Sequence, residues 1–173
     1  MKLKDKVSIV TGSGGGMGKA IAEGFARQGA RVIVAEVNAE TGAQTAEELV
    51  AGGAEATFIA CDVSSEDQVK AMTAAVVDQF GRIDVIVNNA GVNKPQHFLE
   101  TTEENWHWIM NTNGLGVLIG IQEAAKQMIK QGNGGKIINT ASIAGRQGFD
   151  NVAPYCASKS AVISLTQSAA RDL

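Results

Sequence analysis

The chain has 173 residues, of which 45% are hydrophobic and 19% are charged. This length and composition predict one globular domain, residues 1–173, and exclude a disordered or fibrous protein. The formal net charge of −3 is small, and Lys and Arg are scattered along the chain. The charge pattern therefore argues against nucleic acids and anionic membranes as partners and favours small molecules.

The cysteine spacing indicates the redox state of the thiols, and the first residues indicate where in the cell the protein is expected. Cys61 and Cys156 lack the paired spacing of a zinc site or a redox motif, so we expect two reduced thiols and no metal. Residues 1–6 are charged and lack the apolar stretch of a signal peptide. No segment is long and apolar enough to span a membrane. By elimination, we expect a cytoplasmic protein.

Short runs rich in Val and Ile alternate with longer stretches of helical period, which is typical of parallel βαβ units whose sheet is covered on both faces. The predicted strands are Val7–Thr11, Arg31–Glu36, Ala56–Ala60, Ile83–Asn88 and Lys136–Ala141. The predicted helices are Gly16–Gln28, Ala39–Ala51, Ser65–Phe80, Thr102–Gln131 and Pro154–Leu173, with Gly29, Gly52, Gly81 and Gly132 as stops. Right-handed crossovers then give a three-layer α/β fold, a doubly wound parallel sheet of the Rossmann type with strand order 3-2-1-4-5.

The first strand leads into a glycine-rich turn with the pattern Gly12-x-x-x-Gly16-x-Gly18, and a helix follows. Such a turn exposes backbone N–H groups beside a helix N-terminus, where a pyrophosphate can bind, and Gly14 and Met17 belong to the same turn. A flexible surface turn is the alternative interpretation. The strand before the glycines and the helix after them favour the cofactor site.

The second strand ends at Glu36, eighteen residues after Gly18. A carboxylate at this place can accept hydrogen bonds from an adenosine ribose and would repel a 2′-phosphate, so the sequence predicts NAD as the cofactor. A solvated Glu at a strand end is the simpler alternative.

The last predicted helix opens with Tyr155-Cys156-Ala157-Ser158-Lys159, which places the phenol and the ammonium group on one helix face. A neighbouring cation favours the phenolate, so Tyr155 can act as an acid or base on a reacting oxygen. Ser142 follows the fifth strand and can polarise a carbonyl, or simply cap the strand end. Asn113 lies in a glycine-containing helix stretch where a kink or π-bulge would free a backbone carbonyl for a proton path, although a merely polar helix residue is the alternative.

Together, Thr11–Gly18, the Asn88-Asn89-Ala90-Gly91 segment, Asn113, Ser142 and the Tyr155/Lys159 pair resemble the short-chain dehydrogenase/reductase family over the whole chain. The resemblance implies that Tyr155 is the general acid or base, that Lys159 lowers its pKa and binds the nicotinamide ribose, that Ser142 positions the carbonyl and that Asn113 supports a proton relay. It also implies that Asp62 and the adjacent Val63 lie at the adenine and that Asn89, Ala90 and Gly91 line the cofactor cleft.

Within the family, the sequence is most similar to bacterial polyol and acetoin/2,3-butanediol dehydrogenases, through Gly135–Asn139 and Ser164–Ala170. Ser142 and the loop residues after it, Ile143, Gln147, Phe149 and Asn151, are expected to line a pocket for a small alcohol or ketone. Family members continue for some seventy to ninety residues, with a substrate lid, so the chain is expected to be C-terminally incomplete relative to them. The resemblance implies a homotetramer once that part is present.

Two other functions fit part of the pattern. A 3-oxoacyl-[acyl-carrier-protein] reductase is the nearest alternative, but such enzymes favour NADPH, which Glu36 opposes. A non-catalytic dinucleotide-binding sensor is the second alternative, and the presence of Ser142, Tyr155 and Lys159 argues against it.

Overall fold

The computed structural model describes residues 1–173, which form a five-stranded parallel sheet with helices on both faces. The strands are β1 (Val7–Thr11), β2 (Arg31–Glu36), β3 (Ala56–Ala60), β4 (Val85–Asn88) and β5 (Lys136–Asn139). The helices are α1 (Gly16–Arg27), α2 (Ala39–Ala51), α3 (Glu66–Phe80), α4 (Glu103–Met110), α5 (Gly116–Gln131) and α6 (Ala153–Asp172). The sheet order β3-β2-β1-β4-β5 confirms the predicted doubly wound topology.

Alternate residues of β1 enter two separate apolar layers. Val7 and Ile9 of β1 pack in the layer formed with α3 and α5, whereas Val10 packs in the layer formed with α1 and α2. All three side chains are fully buried. Because helices cover both faces, the strands read as continuous apolar runs rather than as alternating ones. Helix α6 packs against α5 through the buried Val162.

The fourth predicted strand begins two residues too early. Asp84 stands just before β4, and its carboxylate accepts a hydrogen bond from the backbone N–H of Val7 (3.0 Å) while Lys6 and Arg82 donate to it as well. Burial raises the pKa of Asp84, but the Val7 N–H, Arg82 and Lys6 outweigh it and leave the pKa below the ordinary value. The residue therefore anchors the start of β1 instead of continuing β4.

The fifth predicted strand ends two residues too late. The ladder with β4 stops at Asn139, where Asn88 is the paired residue. The N–H of Thr140 still donates to the carbonyl of Asn88 (3.0 Å), but the carbonyl of Thr140 accepts from the ammonium group of Lys159 (2.8 Å). The chain leaves the sheet here because a side chain of the last helix takes the next acceptor.

The long helix predicted over Thr102–Gln131 is divided into α4, a π-helical segment at Asn111–Leu115 and α5. At the end of the π segment, the N–H of Gly116 bonds to the carbonyl of Asn111, five residues back. Of the two predicted forms of irregularity around Asn113, a kink or a π-bulge, the structure shows the π-bulge.

The other predicted helix ends agree with the observed ones to within one residue. Gly81 and Gly132 end α3 and α5 in the left-handed conformation, with φ of 74° and 76°. Gly52 ends α2 at φ −75°, and the left-handed residue there is Gly53. None of the helices combines the length and the apolar character required to cross a bilayer.

Candidate active site

The glycine-rich turn after β1 packs backbone against backbone. Gly12 and Gly16 adopt positive φ angles of 63° and 52°, which favour glycine. A Cβ on Gly12 would lie 2.7 Å from the Cα of Ala90, and a Cβ on Gly18 would lie 2.1 Å from the carbonyl oxygen of Gly12. No side chain caps the start of α1 at Gly15. The turn thus presents an uncapped helix N-terminus, the feature that binds phosphate groups in many proteins.

A cleft of about 610 Å³ lies beside this turn, lined by segments that follow the carboxyl ends of β1, β2, β3 and β4. Nine of the residues predicted to bind the cofactor line it: Gly12, Met17, Gly18, Glu36, Asp62, Val63, Asn89, Ala90 and Gly91. Gly14 and Gly16 belong to the turn but do not line the cleft, and neither do Tyr155 and Lys159. The sequence analysis missed Gly15, Val37, Cys61, Ser64, Val92, Trp108 and Thr112.

Some of the missed residues carry a signal in the sequence. Trp108 and Thr112 are four residues apart, so a helical period places them on one face, and both line the cleft. Cys61 immediately precedes Asp62 at the end of β3 and is buried. Burial, followed by the charge of Asp62, raises the pKa of the Cys61 thiol to about 11, so the thiol is a packing group of the cleft wall rather than a nucleophile.

The two predicted carboxylates of the cleft both accept hydrogen bonds from other groups of the protein. Glu36 accepts from three backbone N–H groups, and one of them belongs to the glycine-rich turn. Asp62 accepts at Oδ1 from the N–H of Ser64 (2.9 Å) and from its hydroxyl (2.7 Å). Both side chains are therefore fixed before any ligand binds.

Thr11 and Asn89 join the ends of β1 and β4 at the floor of the cleft. The hydroxyl of Thr11 accepts from the N–H groups of Asn89 (3.0 Å) and Ala90 (3.1 Å). The amide nitrogen of Asn89 donates to the carbonyl oxygens of Thr11 (3.0 Å) and Gly12 (3.3 Å). The amide oxygen of Asn89 is buried and has no hydrogen-bond partner. A buried polar atom without a partner is costly, so a donor from a ligand or an ordered water would be well bound there.

Lys159 is buried between the predicted catalytic residues and the cleft. Only 4% of the residue is exposed, its ammonium group donates to the carbonyl of Thr140, and it lies 5.6 Å from the centre of the Tyr155 ring. A Cβ added to Gly91, in the cleft wall, would lie 3.6 Å from the Lys159 nitrogen. Burial lowers the pKa of Lys159. The structure thus brings a desolvated ammonium group, the only tyrosine of the chain and the cleft wall together.

Asn113 connects the cleft to α6. Its amide oxygen accepts from the N–H of Val92 (2.7 Å), and its amide nitrogen donates to the carbonyl of Val92 (2.9 Å) and to the hydroxyl of Ser158 (3.1 Å). Ser158 in turn donates to the backbone carbonyl of Tyr155 (2.7 Å). The side chain of Asn113 is fully buried, so it fixes the position of the helix turn that carries Tyr155.

The structure does not bring all the predicted pocket residues, Ser142 and the loop residues after it, into one cavity. The Ser142 hydroxyl accepts from the N–H of Ala144 (3.1 Å) and caps a short 3₁₀ turn, which still leaves its own O–H available to donate. Phe149 and Asn151 line a second cavity of about 380 Å³ together with His97, which no motif singles out. Ser142, Ile143 and Gln147 do not line this cavity.

The model of the family described as short chain dehydrogenase matches residues 6–173, nearly the whole chain. The chain belongs to the short-chain dehydrogenase family. It is 43% identical to the sorbitol dehydrogenase of Cereibacter sphaeroides, over 100% of this chain and 66% of that protein. It is 41% identical to the diacetyl reductase [(S)-acetoin forming] of Staphylococcus epidermidis strain RP62A, over 97% of this chain and 65% of that protein. The predicted resemblance to polyol and acetoin dehydrogenases is therefore confirmed.

The fold of the family is confirmed as well. A crystal structure of a short chain dehydrogenase/reductase from Burkholderia phymatum in complex with NAD superposes with a TM-score of 0.96 at 36% identity. The alignment covers 100% of this chain and 62% of that one. This short-chain dehydrogenase thus spans about two thirds of the length of the curated relatives it matches.

Proposed function

We propose that this short-chain dehydrogenase is an NAD-dependent oxidoreductase that interconverts a secondary alcohol and a ketone by hydride transfer. The observation that carries the proposal is the buried Lys159 ammonium group, which lies beside the Tyr155 ring and against the cleft wall at Gly91. A cation in this position favours the phenolate of a nearby tyrosine. This arrangement supports acid–base chemistry at the edge of a cleft that has the features of a dinucleotide site.

The cleft residues fit a dinucleotide. The uncapped N-terminus of α1 and the side-chain-free glycines offer backbone N–H groups to a pyrophosphate. Asn89 lines the cleft, and its buried amide oxygen has no hydrogen-bond partner and so retains the capacity to accept one. NAD, when bound, supplies or removes the hydride.

The chain's own residues would handle the proton. In the reductive direction, Tyr155 donates its phenolic proton to the oxygen of the ketone as the carbonyl carbon receives hydride, and the alcohol is formed. Lys159 stabilises the phenolate that remains, and its bond to the Thr140 carbonyl holds the ammonium group in place. Ser142 donates its hydroxyl proton in a hydrogen bond to the carbonyl oxygen. Asn113 positions the Tyr155 turn through Ser158 and supports the path by which the proton is replaced.

Glu36 would determine the choice of cofactor. Its carboxylate lies in the cleft at the end of β2, where it can accept a hydrogen bond from a ribose hydroxyl and repel a 2′-phosphate. A hydrogen bond to a charged group contributes about 1.5–3 kcal/mol, which corresponds to about a ten- to hundredfold preference for NADH. Glu36→Ser should lower that preference, and Val37→Arg in the same protein should supply a partner for the phosphate.

We propose a small polyol or hydroxy-ketone as the substrate, because the sorbitol dehydrogenase and the diacetyl reductase named above act on compounds of this kind. We expect a homotetramer when the C-terminal part is present, as the family resemblance implies. The mass of the assembly in solution, measured by light scattering, tests the second statement.

The test of the proposed function is a comparison of kcat/KM for diacetyl, acetoin, sorbitol and a 3-oxoacyl thioester, each with NADH or NADPH (NAD or NADP for the alcohols), in the complete protein. We expect reduction of a hydroxy-ketone with NADH, or oxidation of a polyol with NAD, well above the corresponding reaction with NADPH or NADP. Preference for the thioester with NADPH would favour the acyl-carrier-protein reductase instead. Cofactor binding without turnover of any of these compounds would favour a sensor.

A further inference from the structure

The carboxylate of Glu36 occupies a site made of backbone N–H groups from two separate segments. Its Oε2 accepts from the N–H of Gly14 (3.0 Å), in the glycine-rich turn. Its Oε1 accepts from the N–H groups of Val37 (2.9 Å) and Asn38 (3.1 Å), which precede α2. Three convergent N–H donors of this kind form an anion-binding concavity in other proteins. Here the anion is a side chain of the protein itself.

The structure of the surrounding residues keeps these donors in place. A Cβ on Gly14 would lie 2.7 Å from the Cγ of Glu36 and 2.5 Å from the hydroxyl of Thr41, so only glycine permits this close approach. The side chain of Asn38 accepts from the N–H groups of Glu40 (3.0 Å) and Thr41 (3.2 Å) and caps α2. The cap fixes the backbone at Asn38 whether or not Glu36 is present.

The hydrogen-bond capacity of the carboxylate limits what else it can bind. An ionised carboxylate has about four acceptor positions, and three are used by backbone donors. About one position is left for a ribose hydroxyl. No basic side chain of the turn compensates, because Lys19 pairs with Glu48 on α2.

We infer that the Glu36 carboxylate masks a preformed anion site. A 2′-phosphate is excluded for two reasons: the carboxylate repels it, and the backbone N–H donors of the site are already occupied by the carboxylate. This inference deepens the proposed NAD function and rests on it. It predicts that removal of the Glu36 carboxylate is enough to create a 2′-phosphate site, without the addition of any cationic side chain. If charge alone decided, neutralisation of Glu36 would have the same effect as its removal.

The test compares Glu36→Ala with Glu36→Gln as a matched pair. Both variants remove the charge, but Gln keeps an amide oxygen that can still accept from Val37 and Asn38, whereas Ala leaves all three donors free. Calorimetry would give Kd values for adenosine 5′-monophosphate and adenosine 2′,5′-bisphosphate with each protein. We expect Glu36→Ala to bind the bisphosphate about tenfold or more tightly than wild type does, and Glu36→Gln to gain less than about threefold. Glu36→Ser repeats the test with a second short side chain, and circular dichroism verifies that each variant is folded.

An equal gain in the Gln and Ala variants would contradict the masking, and so would the absence of a gain in folded Ala and Ser variants. Wild-type protein that binds the bisphosphate as tightly as the monophosphate would contradict both the masking and the proposed cofactor choice. The expected binding pattern in a protein without dehydrogenase activity would support the masking and contradict the proposed function alone.

Discussion

Asn113→Ala should destabilise the protein and loosen the turn that carries Tyr155. The substitution removes three hydrogen bonds, two with the backbone of Val92 and one with Ser158. The side chain of Asn113 is fully buried, and Val92 is half-buried. Each of the three hydrogen bonds is therefore expected to contribute about 1 kcal/mol to the free energy of unfolding, which gives a total of about 3 kcal/mol. For a domain of this size, that loss lowers Tm by about 9 °C.

The control for this prediction is Asn111→Ala. Asn111 has the same side chain and lies in the same π segment, but it is exposed, and its replacement should change stability by less than about 0.5 kcal/mol. The assay is urea unfolding of both variants at one pH. A double-mutant cycle of Asn113→Ala with Ser158→Ala should give a coupling of about 1 kcal/mol. Equal stabilities of the Asn113 and Asn111 variants, or a coupling near zero, would refute the proposed connection.

Two further predictions concern buried ionisable groups. Because burial lowers the pKa of Lys159, the folded protein releases this proton at a lower pH than the unfolded chain, so the group adds stability as pH rises towards 10.5. Lys159→Met should lack this rise in the free energy of unfolding, measured with urea between pH 7 and 10.5, and should weaken both NAD binding and turnover. A difference in unfolding free energy between wild type and variant that stays constant over this pH range would contradict the prediction. The lowered pKa of Asp84 contributes stability above pH 3.8 that is lost as pH falls below it. Asp84→Asn should cost about 2 kcal/mol at pH 7, and this cost should shrink in acid; an unchanged cost at pH 3 would contradict the role of the carboxylate.

The sequence predicts most of the fold because most of its strands are covered on both faces. The strands β1, β2 and β3 and the helix α2 have the predicted bounds, since continuous apolar runs bounded by glycine or polar residues leave little freedom. The errors at β4 and β5 have a different origin. Asp84 and Thr140 continue the strand pattern in sequence but bond to side chains or segments distant along the chain. A local pattern contains no information on such partners.

The candidate site was predictable in its parts more than in its arrangement. The glycine spacing and the pairing of Tyr155 with Lys159 are local, and the structure places each group at the expected end of the sheet. The hydrogen bonds of Asn113 to Val92 span 21 residues, and its bond to Ser158 spans 45. Only the three-dimensional fold reveals these bonds. The same holds for Glu36, whose bond to Gly14 joins two different βα units.

The most direct test of the central claim is a comparison of wild type with Tyr155→Phe in the reduction of diacetyl by NADH, with the Kd of NAD measured on the same preparations. The substitution removes only the phenolic oxygen, so the buried Lys159, its bond to Thr140 and the cleft should persist. General acid catalysis contributes about 10²- to 10⁴-fold to the rate. We therefore expect kcat to fall by at least about 10²-fold, while the Kd of NAD changes less than about threefold. A Tyr155→Phe variant that binds NAD normally and keeps a kcat within tenfold of wild type would contradict the account.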